Sequence, residues 1–280
     1  MTIFELPQVE ALIRAALAED VGRGDITTQL TVPTGLKASG TLLGKQDGVL
    51  AGLPLIARVF AVMGAPVRVD ERLHDGDAFR SGTVLATVNG AAADLLVGER
   101  LVLNLVQRLS GVATLTRRYV DAVKGTKATV IDTRKTTPGL RALEKYAVRM
   151  GGGGNHRSGL DDGILIKDNH ITAAGGLGAA LSAARRGAVH GMRVEIECAT
   201  VAQVDEALAA GAEAILLDNM SVAQLAEAVR HVDGRAVTEA SGGVTLETIR
   251  AIADTGVDLI SVGALTHSAP AVDISMKIKL

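Results

Sequence analysis

The sequence predicts an α/β protein in two parts, an N-terminal α+β domain followed by a parallel α/β barrel, and three observations carry that prediction. Between residues 130 and 263, short apolar segments each run into charged, hydroxyl or glycine residues. They are Val130-Ile131-Asp132 into Thr133-Arg134-Lys135, Ile164-Leu165-Ile166 into Lys167, Val194-Glu195-Ile196 into Glu197, Ile215-Leu216-Leu217 into Asp218, Ala236-Val237-Thr238 into Glu239-Ala240-Ser241, and Leu259-Ile260-Ser261-Val262 into Gly263. Helix-like stretches separate them, residues 201–210 and 222–231 among them, so strand and helix alternate with every strand pointing the same way. Residues 37–88 lack that rhythm and alternate apolar with polar positions, as a mainly antiparallel sheet does. In a parallel barrel the carboxyl ends of the strands face the ligand, so one mouth gathers Arg134, Lys135, Lys167, Glu197, Asp218 and Ser241. With about six strands in place of eight, closure is incomplete.

The elements follow in order. Apolar residues at helical spacing over 9–17 predict a first helix that stops before the turn-rich Gly22-Arg23-Gly24-Asp25. Alternation over 38–43, 48–50, 67–69 and 83–88 predicts strands, with one helix near 54–63. The turns fall at Gln46-Asp47-Gly48 and His74-Asp75-Gly76-Asp77. A long helical stretch over 92–123, expected to break or kink near Ser110-Gly111, leads into the barrel. Residues 273–280 alternate like a strand and could return to the first domain. The boundaries expected from this pattern are 1–110 for the N-terminal domain, 111–268 for the barrel and 269–280 for the return.

Composition narrows the function. A 280-residue chain buries roughly three quarters of its unfolded surface, enough for a sizeable core. No stretch of about 18 apolar residues occurs, and Glu5 and Glu10 stand where a secretory signal would be basic, so the expectation is a cytoplasmic protein that does not span a membrane. The single cysteine, Cys198, excludes an internal disulfide and a Cys-rich zinc site. A net charge of −2 and 2% aromatic residues argue against nucleic-acid binding, which needs clustered cations and stacking platforms.

Several motifs carry chemistry. Arg134 and Lys135 place two cations at a strand end, followed by Thr136-Thr137-Pro138-Gly139. A guanidinium fork matches carboxylate or phosphate, and lysine adds a mobile charge. Gly151-Gly152-Gly153-Gly154-Asn155-His156-Arg157 reads as a loop whose glycines allow close backbone approach, with His156 and Arg157 beside the site. Lys167 adds a third cation at a strand end. Glu195 and Glu197 alternate on one strand and point into the barrel, where they repel unless a cation meets them. Glu197 and Asp218 could hold magnesium or ribose hydroxyls; a salt bridge from Lys167 or Arg193 is the competing reading. Ser241-Gly242-Gly243 and Gly263 through His267 each follow a strand and open a helix, a pairing that suits a phosphate. Arg100 lies in a segment, 95–109, apolar around most of its circumference; it pairs with Glu99 or another acid, or it reaches an active site.

At these residues the chain resembles the quinolinate phosphoribosyltransferase family. The blocks are RKTTPGLR at 134–141, EKYAVRMGGGGNHRSGL at 144–160, ILIKDNH at 164–170, LLDNM at 216–220, EASGGV at 239–244, SVGALTHSAPAVDIS at 261–275 and EDVGRGDITT at 19–28. The only departure within them is Met150, where a smaller residue is expected. The resemblance implies an N-terminal α/β sandwich, a C-terminal open barrel, and a homodimer or higher homo-oligomer with active sites shared between subunits. It implies that Thr133, Arg134, Lys135, His156, Arg157 and Lys167 form a quinolinate pocket, with Arg100 entering from the neighbouring subunit. Glu197 and Asp218 would stand near the ribose and magnesium of phosphoribosyl pyrophosphate, and Ser241, Gly242, Gly243, Gly263 and His267 near its phosphates. Lys135, Lys167, Glu197 and Asp218 are the residues it makes catalytic, with Mg2+ and no organic cofactor. Two alternatives stay open on the sequence: a pyrophosphorylase-like paralogue associated with molybdenum transport, and a non-catalytic phosphate-binding barrel.

Overall fold

The computed structural model describes residues 2–280. Two compact units make up the chain. The first contains the described residues up to Arg117 with Thr136–Gly152 and Thr266–Leu280, and the second contains Arg118–Lys135 and Gly153–Leu265.

The chain begins with α1 (Pro7–Val21) and α2 (Ile26–Thr31), then β1 (Lys37–Gly44), β2 (Gly48–Val49), α3 (Pro54–Met63), β3 (Arg68–Glu71), β4 (Ala78–Phe79) and β5 (Val84–Ala91). There follow α4 (Ala92–Ala122), β6 (Thr129–Ile131), α5 (Arg141–Met150), β7 (Ile164–Ile166), α6 (Asp168–Ala174), α7 (Leu177–Gly187), β8 (Val194–Cys198) and α8 (Val201–Ala209). The last elements are β9 (Ala214–Asp218), α9 (Val222–Val232), β10 (Val237–Ser241), α10 (Ile249–Ala253), β11 (Leu259–Ser261), α11 (Ala264–His267) and β12 (Ile274–Lys279).

In the first unit an antiparallel sheet runs in the order β12-β1-β5-β3. Its alternation is the one read from the sequence: along β1 every second residue is buried, and the C-terminal strand pairs with β1, Leu42 opposite Met276. Asp75 accepts from the N–H groups of Gly52 (2.8 Å) and Leu53 (3.0 Å), so the predicted His74-Asp75-Gly76-Asp77 turn also holds the residues that lead into α3. Arg108 of α4 donates through Nε (3.1 Å) and Nη2 (2.7 Å) to the fully buried carboxylate of Glu144 on α5, and through Nη1 (2.7 Å) to the carbonyl of Ala269. Thr137 donates to the same carboxylate from its backbone N–H (3.0 Å) and its hydroxyl (2.8 Å), so that hydroxyl is spent on structure.

One expectation for α4, a break at Ser110-Gly111, is corrected. The helix is continuous through Ser110 and Gly111. Gly111 serves a close crossing instead: a Cβ there would lie 2.1 Å from the carbonyl oxygen of Pro270. The segment around Arg100 is buried around most of its circumference, with Leu96, Arg100 and Asn104, spaced four apart, forming one exposed stripe. Arg100 makes no ion pair with Glu99 or any other described residue. Its exposure removes the need for a partner within the chain.

In the second unit six parallel strands run in the order β6-β11-β10-β9-β8-β7. Val194, Ile196 and Cys198 on β8 are buried on the face that α7 and α8 cover, which leaves Glu195 and Glu197 on the other. Residues from all six strands or the turns that end them line one cavity, so the sheet curls around it. The curl stops short of a closed barrel, since β6 and β7 remain edges. Beside β6, the Gly154 N–H donates to the carbonyl of Val130 (2.8 Å) and its carbonyl accepts from Asp132 N–H (3.2 Å). The glycine run thus approaches the protein's own backbone. Among the described residues no helix is long and apolar enough to cross a membrane.

Candidate active site

The cavity at the carboxyl ends of the six strands has a volume of about 260 Å³. Nine residues predicted from the sequence line it: Thr133, Arg134, Lys135, His156, Arg157, Lys167, Glu197, Asp218 and Ser241. Parallel strands deliver these side chains from distant parts of the chain to one edge of the sheet. Short turns hold the cations. Thr133 Oγ1 accepts from Lys135 N–H (3.0 Å), and Arg157 Nη1 donates to the carbonyl of Gly163 (2.9 Å). Burial, together with the nearby Arg134 guanidinium, pushes the Arg157 guanidinium below its ordinary pKa. Two cations held this close in a partly buried site favour an anion between them.

The carboxylates occupy the opposite charge role. Glu197 is held above the usual carboxylate range by burial and then by Asp218, while Lys167, with Nζ 3.8 Å from Glu197 Oε2, opposes this. Of the two cations considered for a salt bridge here, Lys167 is the one that lies beside Glu197. Asp218 Oδ2 accepts from its neighbour's amide, Asn219 Nδ2, at 2.7 Å. Asn219 adopts φ +54, a left-handed conformation uncommon for a residue with a side chain, and its N–H donates to the carbonyl of Ser241 (2.9 Å). Gly242 has φ +99, and a Cβ there would lie 2.1 Å from Asn219 Oδ1, so glycine is required where the two turns meet. Two hard oxygen donors that repel one another suit a divalent cation such as magnesium or a pair of hydroxyls.

Below this mouth His156 meets two carboxylates, Glu195 and Glu239, that were not among the predicted site residues. His156 Nε2 is 3.0 Å from Glu195 Oε2 and 3.7 Å from Glu239 Oε2. Its Nδ1 accepts from Arg157 N–H at 2.7 Å, which assigns the ring proton to Nε2, so the imidazole donates to Glu195. Asp132, fully buried, accepts from His156 N–H (2.9 Å) and Asn155 Nδ2 (2.6 Å) and so anchors the loop. Glu239 is 1% exposed and lines the cavity floor. Burial, and next the charge of Glu195, push its carboxyl up to about 8. The predicted repulsion within β8 is thus resolved separately, Glu195 meeting His156 and Glu197 meeting Lys167. Glu239 was legible by alternation: it stands two residues before Ser241 on β10 and shares its face.

The remaining predicted residues fall elsewhere. Arg100 and His267 belong to the first unit; His267 Nδ1 is 2.6 Å from Ser268 Oγ. Gly242 and Gly243 follow β10 but do not open a helix, a correction to the expected helix N-terminus, because α10 starts only at Ile249. Both have positive φ and form a turn of their own. Gly263 does precede a helical turn, α11. Cys198 is buried on the helix-facing side of β8 and its thiol is pushed up to about 12 by burial, so it is no nucleophile.

Comparison with known proteins places these features in a family. The sequence profile of the quinolinate phosphoribosyl transferase N-terminal domain matches residues 25–110, and that of its C-terminal domain matches residues 112–277. A nicotinate-nucleotide pyrophosphorylase (carboxylating) of Mycobacterium leprae (strain TN) is 50% identical over 272 residues, covering 94% of this chain and 95% of the relative. A probable nicotinate-nucleotide pyrophosphorylase (carboxylating) of Bacillus subtilis (strain 168) is 45% identical over 273 residues, covering 98% and 94%. The crystal structure of NadC from Streptococcus pyogenes superimposes with a TM-score of 0.94 at 42% identity, covering 100% of this chain and 98% of that one.

Proposed function

Because the chain belongs to the quinolinate phosphoribosyltransferase family, we infer that it transfers the phosphoribosyl group of phosphoribosyl pyrophosphate to quinolinate with loss of carbon dioxide, giving nicotinate mononucleotide and pyrophosphate. The observation that carries this reading is the cavity itself, with four cations, Arg134, Lys135, Arg157 and Lys167, on its wall beside the carboxylates Glu197 and Asp218. Quinolinate brings two carboxylates and phosphoribosyl pyrophosphate brings phosphates, so both substrates are anionic.

In the reaction the pyridine nitrogen of quinolinate gives its lone pair to C1 of the ribose as the bond from C1 to the pyrophosphate oxygen breaks. Arg134, Lys135 and Arg157 hold the two carboxylates so that the nitrogen faces C1, a positional contribution, while Lys167 adds its charge at the mouth. Glu197 and Asp218 bind the ribose hydroxyls, and their negative charge favours the positive character that develops on the ring. These two residues would also hold Mg2+, which supplies charge neutralisation for the departing pyrophosphate. Ser241, Gly242, Gly243, Gly263 and His267 are the positions assigned to the phosphates. Once the nitrogen is quaternised, the bond from C2 to its carboxylate breaks, carbon dioxide leaves, the positive ring holds the electron pair at C2, and a proton replaces the lost group. No organic cofactor takes part.

The reading extends to a homodimer, or a higher homo-oligomer built on it, in which Arg100 enters the pocket of a neighbouring copy. Its support is the exposure of Arg100 beside the exposed Leu96 on the same helix face, a cation and an apolar contact with no use inside the chain. Cytoplasmic localisation belongs to the same proposal.

The test is substrate discrimination. Purified protein given phosphoribosyl pyrophosphate and magnesium should release pyrophosphate with quinolinate and not with nicotinate, which leaves cations unpaired in the pocket. Equal turnover of nicotinate, or none of quinolinate, contradicts the assignment.

A further inference from the structure

The floor of the cavity holds a group that the mechanism above does not use. Glu239 sits in the middle of β10 with its side chain essentially removed from solvent, and its Oε1 is buried with no hydrogen-bond donor to satisfy it. The Glu195 carboxyl and the Ser261 hydroxyl lie within hydrogen-bonding reach of it. On the intervening strand β9, Ala214 is the register partner of Glu195 and Leu216 that of Glu239, so the two carboxyl groups meet diagonally across three strands. Two ionised carboxylates in contact at a buried floor would repel strongly, and the imidazole between them lies closer to Glu195 than to Glu239. A proton placed on Glu239 relieves the repulsion, because it removes one charge and makes the carboxyl a donor for Glu195.

We propose that Glu239 is a positioning residue for the quinolinate end of the pocket, a neutral carboxylic acid that donates to Glu195 while His156 donates to the same carboxylate from the other side. Glu195 then carries the only negative charge of the trio, held by two hydrogen bonds, and the imidazole of His156 is fixed against the cavity wall beside Arg157. The charge balance at the cavity gives this a purpose. Arg134, Lys135, Arg157 and Lys167 contribute four positive charges, and Glu197, Asp218 and Glu195 three negative ones. A neutral Glu239 leaves the site one positive charge richer toward a dianion than an ionised one. Burial and the Glu195 charge raise the Glu239 carboxyl to about 8, in agreement with the geometry. The groups that face it are Glu195 on β8, His156 on the loop after Gly154, and Ser261 on β11.

The assignment rests on the quinolinate reading for its kinetic arm and is independent of it in its spectroscopic arm. Glu239→Gln, an amide that can still donate to Glu195, should leave the KM for quinolinate within about threefold of the parent. Glu239→Ala should raise that KM about tenfold with kcat and the KM for phosphoribosyl pyrophosphate changed little, a split that general loosening of the fold would not give. Infrared difference spectra of the parent against Glu239→Gln should contain the C=O stretch of a buried protonated carboxyl, lost in the variant, whether or not the alanine variant folds. A glutamine variant as damaged as the alanine variant, an alanine variant with unchanged quinolinate KM, no protonated-carboxyl band, or a stoichiometric metal ion lost on Glu239→Gln would each overturn the proposal. If the parent itself fails to use quinolinate, the functional reading is what fails, and the infrared band still decides the proton.

Discussion

Replacing Glu239 by glutamine should change how stability depends on pH, in a direction the structure fixes. In the unfolded chain this carboxyl ionises at its ordinary value of 4.5, and in the folded protein burial and Glu195 raise it to about 8. Below 4.5 the group is protonated in both states, and its contribution to stability is fully present. Between the two values only the unfolded state releases the proton, so stability falls as pH rises and the loss is complete above the folded value. One proton corresponds to about 1.4 kcal/mol per pH unit at 25 °C. Glutamine does not titrate, so the unfolding free energy of Glu239→Gln minus that of the parent should climb by about that slope from pH 5.5 to 7.5. All groups common to both proteins cancel in the difference except His156 and Glu195, which touch the altered side chain. The assay is urea unfolding followed by circular dichroism at half-unit pH steps. A flat difference, or one that falls with pH, would show that Glu239 is ionised in the folded protein and would remove the neutral floor from the account.

Three further outcomes follow from particular contacts. Arg108→Met should cost about 3–5 kcal/mol in urea unfolding because it strands the fully buried Glu144 carboxylate, and adding Glu144→Leu should recover most of the loss; an additive double variant would contradict this. Gly242→Ala forces a side chain onto φ +99 and against Asn219 Oδ1, so Asp218 loses its amide partner. Its kcat/KM for phosphoribosyl pyrophosphate should fall about tenfold or more, and an unchanged value would mean that the turn does not serve that substrate. For shared sites, Arg100→Ala and Lys135→Ala should each be inactive or nearly so, and verified mixed dimers should regain some activity; no recovery would place Arg100 outside its neighbour's pocket.

Much of this architecture could be read from the sequence because its signals are local. Six apolar runs that each end in a polar or glycine residue mark strands whose carboxyl ends share one edge, and together with the glycine-rich loop that carries His156 and Arg157 they supply nine predicted residues that line one cavity. Alternation also revealed the antiparallel sheet and the returning C-terminal strand. The misreadings share a cause, a local signal with more than one physical use. Glycine at 111 was taken for a helix break, but the requirement comes from Pro270, far away in sequence, whose carbonyl needs the space. Glycines 242 and 243 were taken for a helix start, but they serve a turn fitted around Asn219. Glu239 escaped because its strand was ended at Thr238, whereas β10 runs on to Ser241 and carries the glutamate to the cavity floor. Its meeting with Glu195 spans β8, β9 and β10, a three-strand relation that no single segment displays.

The central claim is that one cation-lined cavity both transfers the phosphoribosyl group and removes the 2-carboxylate of quinolinate. Quinolinate labelled with carbon-14 in that carboxylate, given with phosphoribosyl pyrophosphate and magnesium, tests it most directly when labelled carbon dioxide and pyrophosphate are counted in the same reaction. The account predicts equal amounts of the two at every time point, both abolished together in Arg134→Ala. Pyrophosphate without labelled carbon dioxide, or neither product from folded protein, would contradict it.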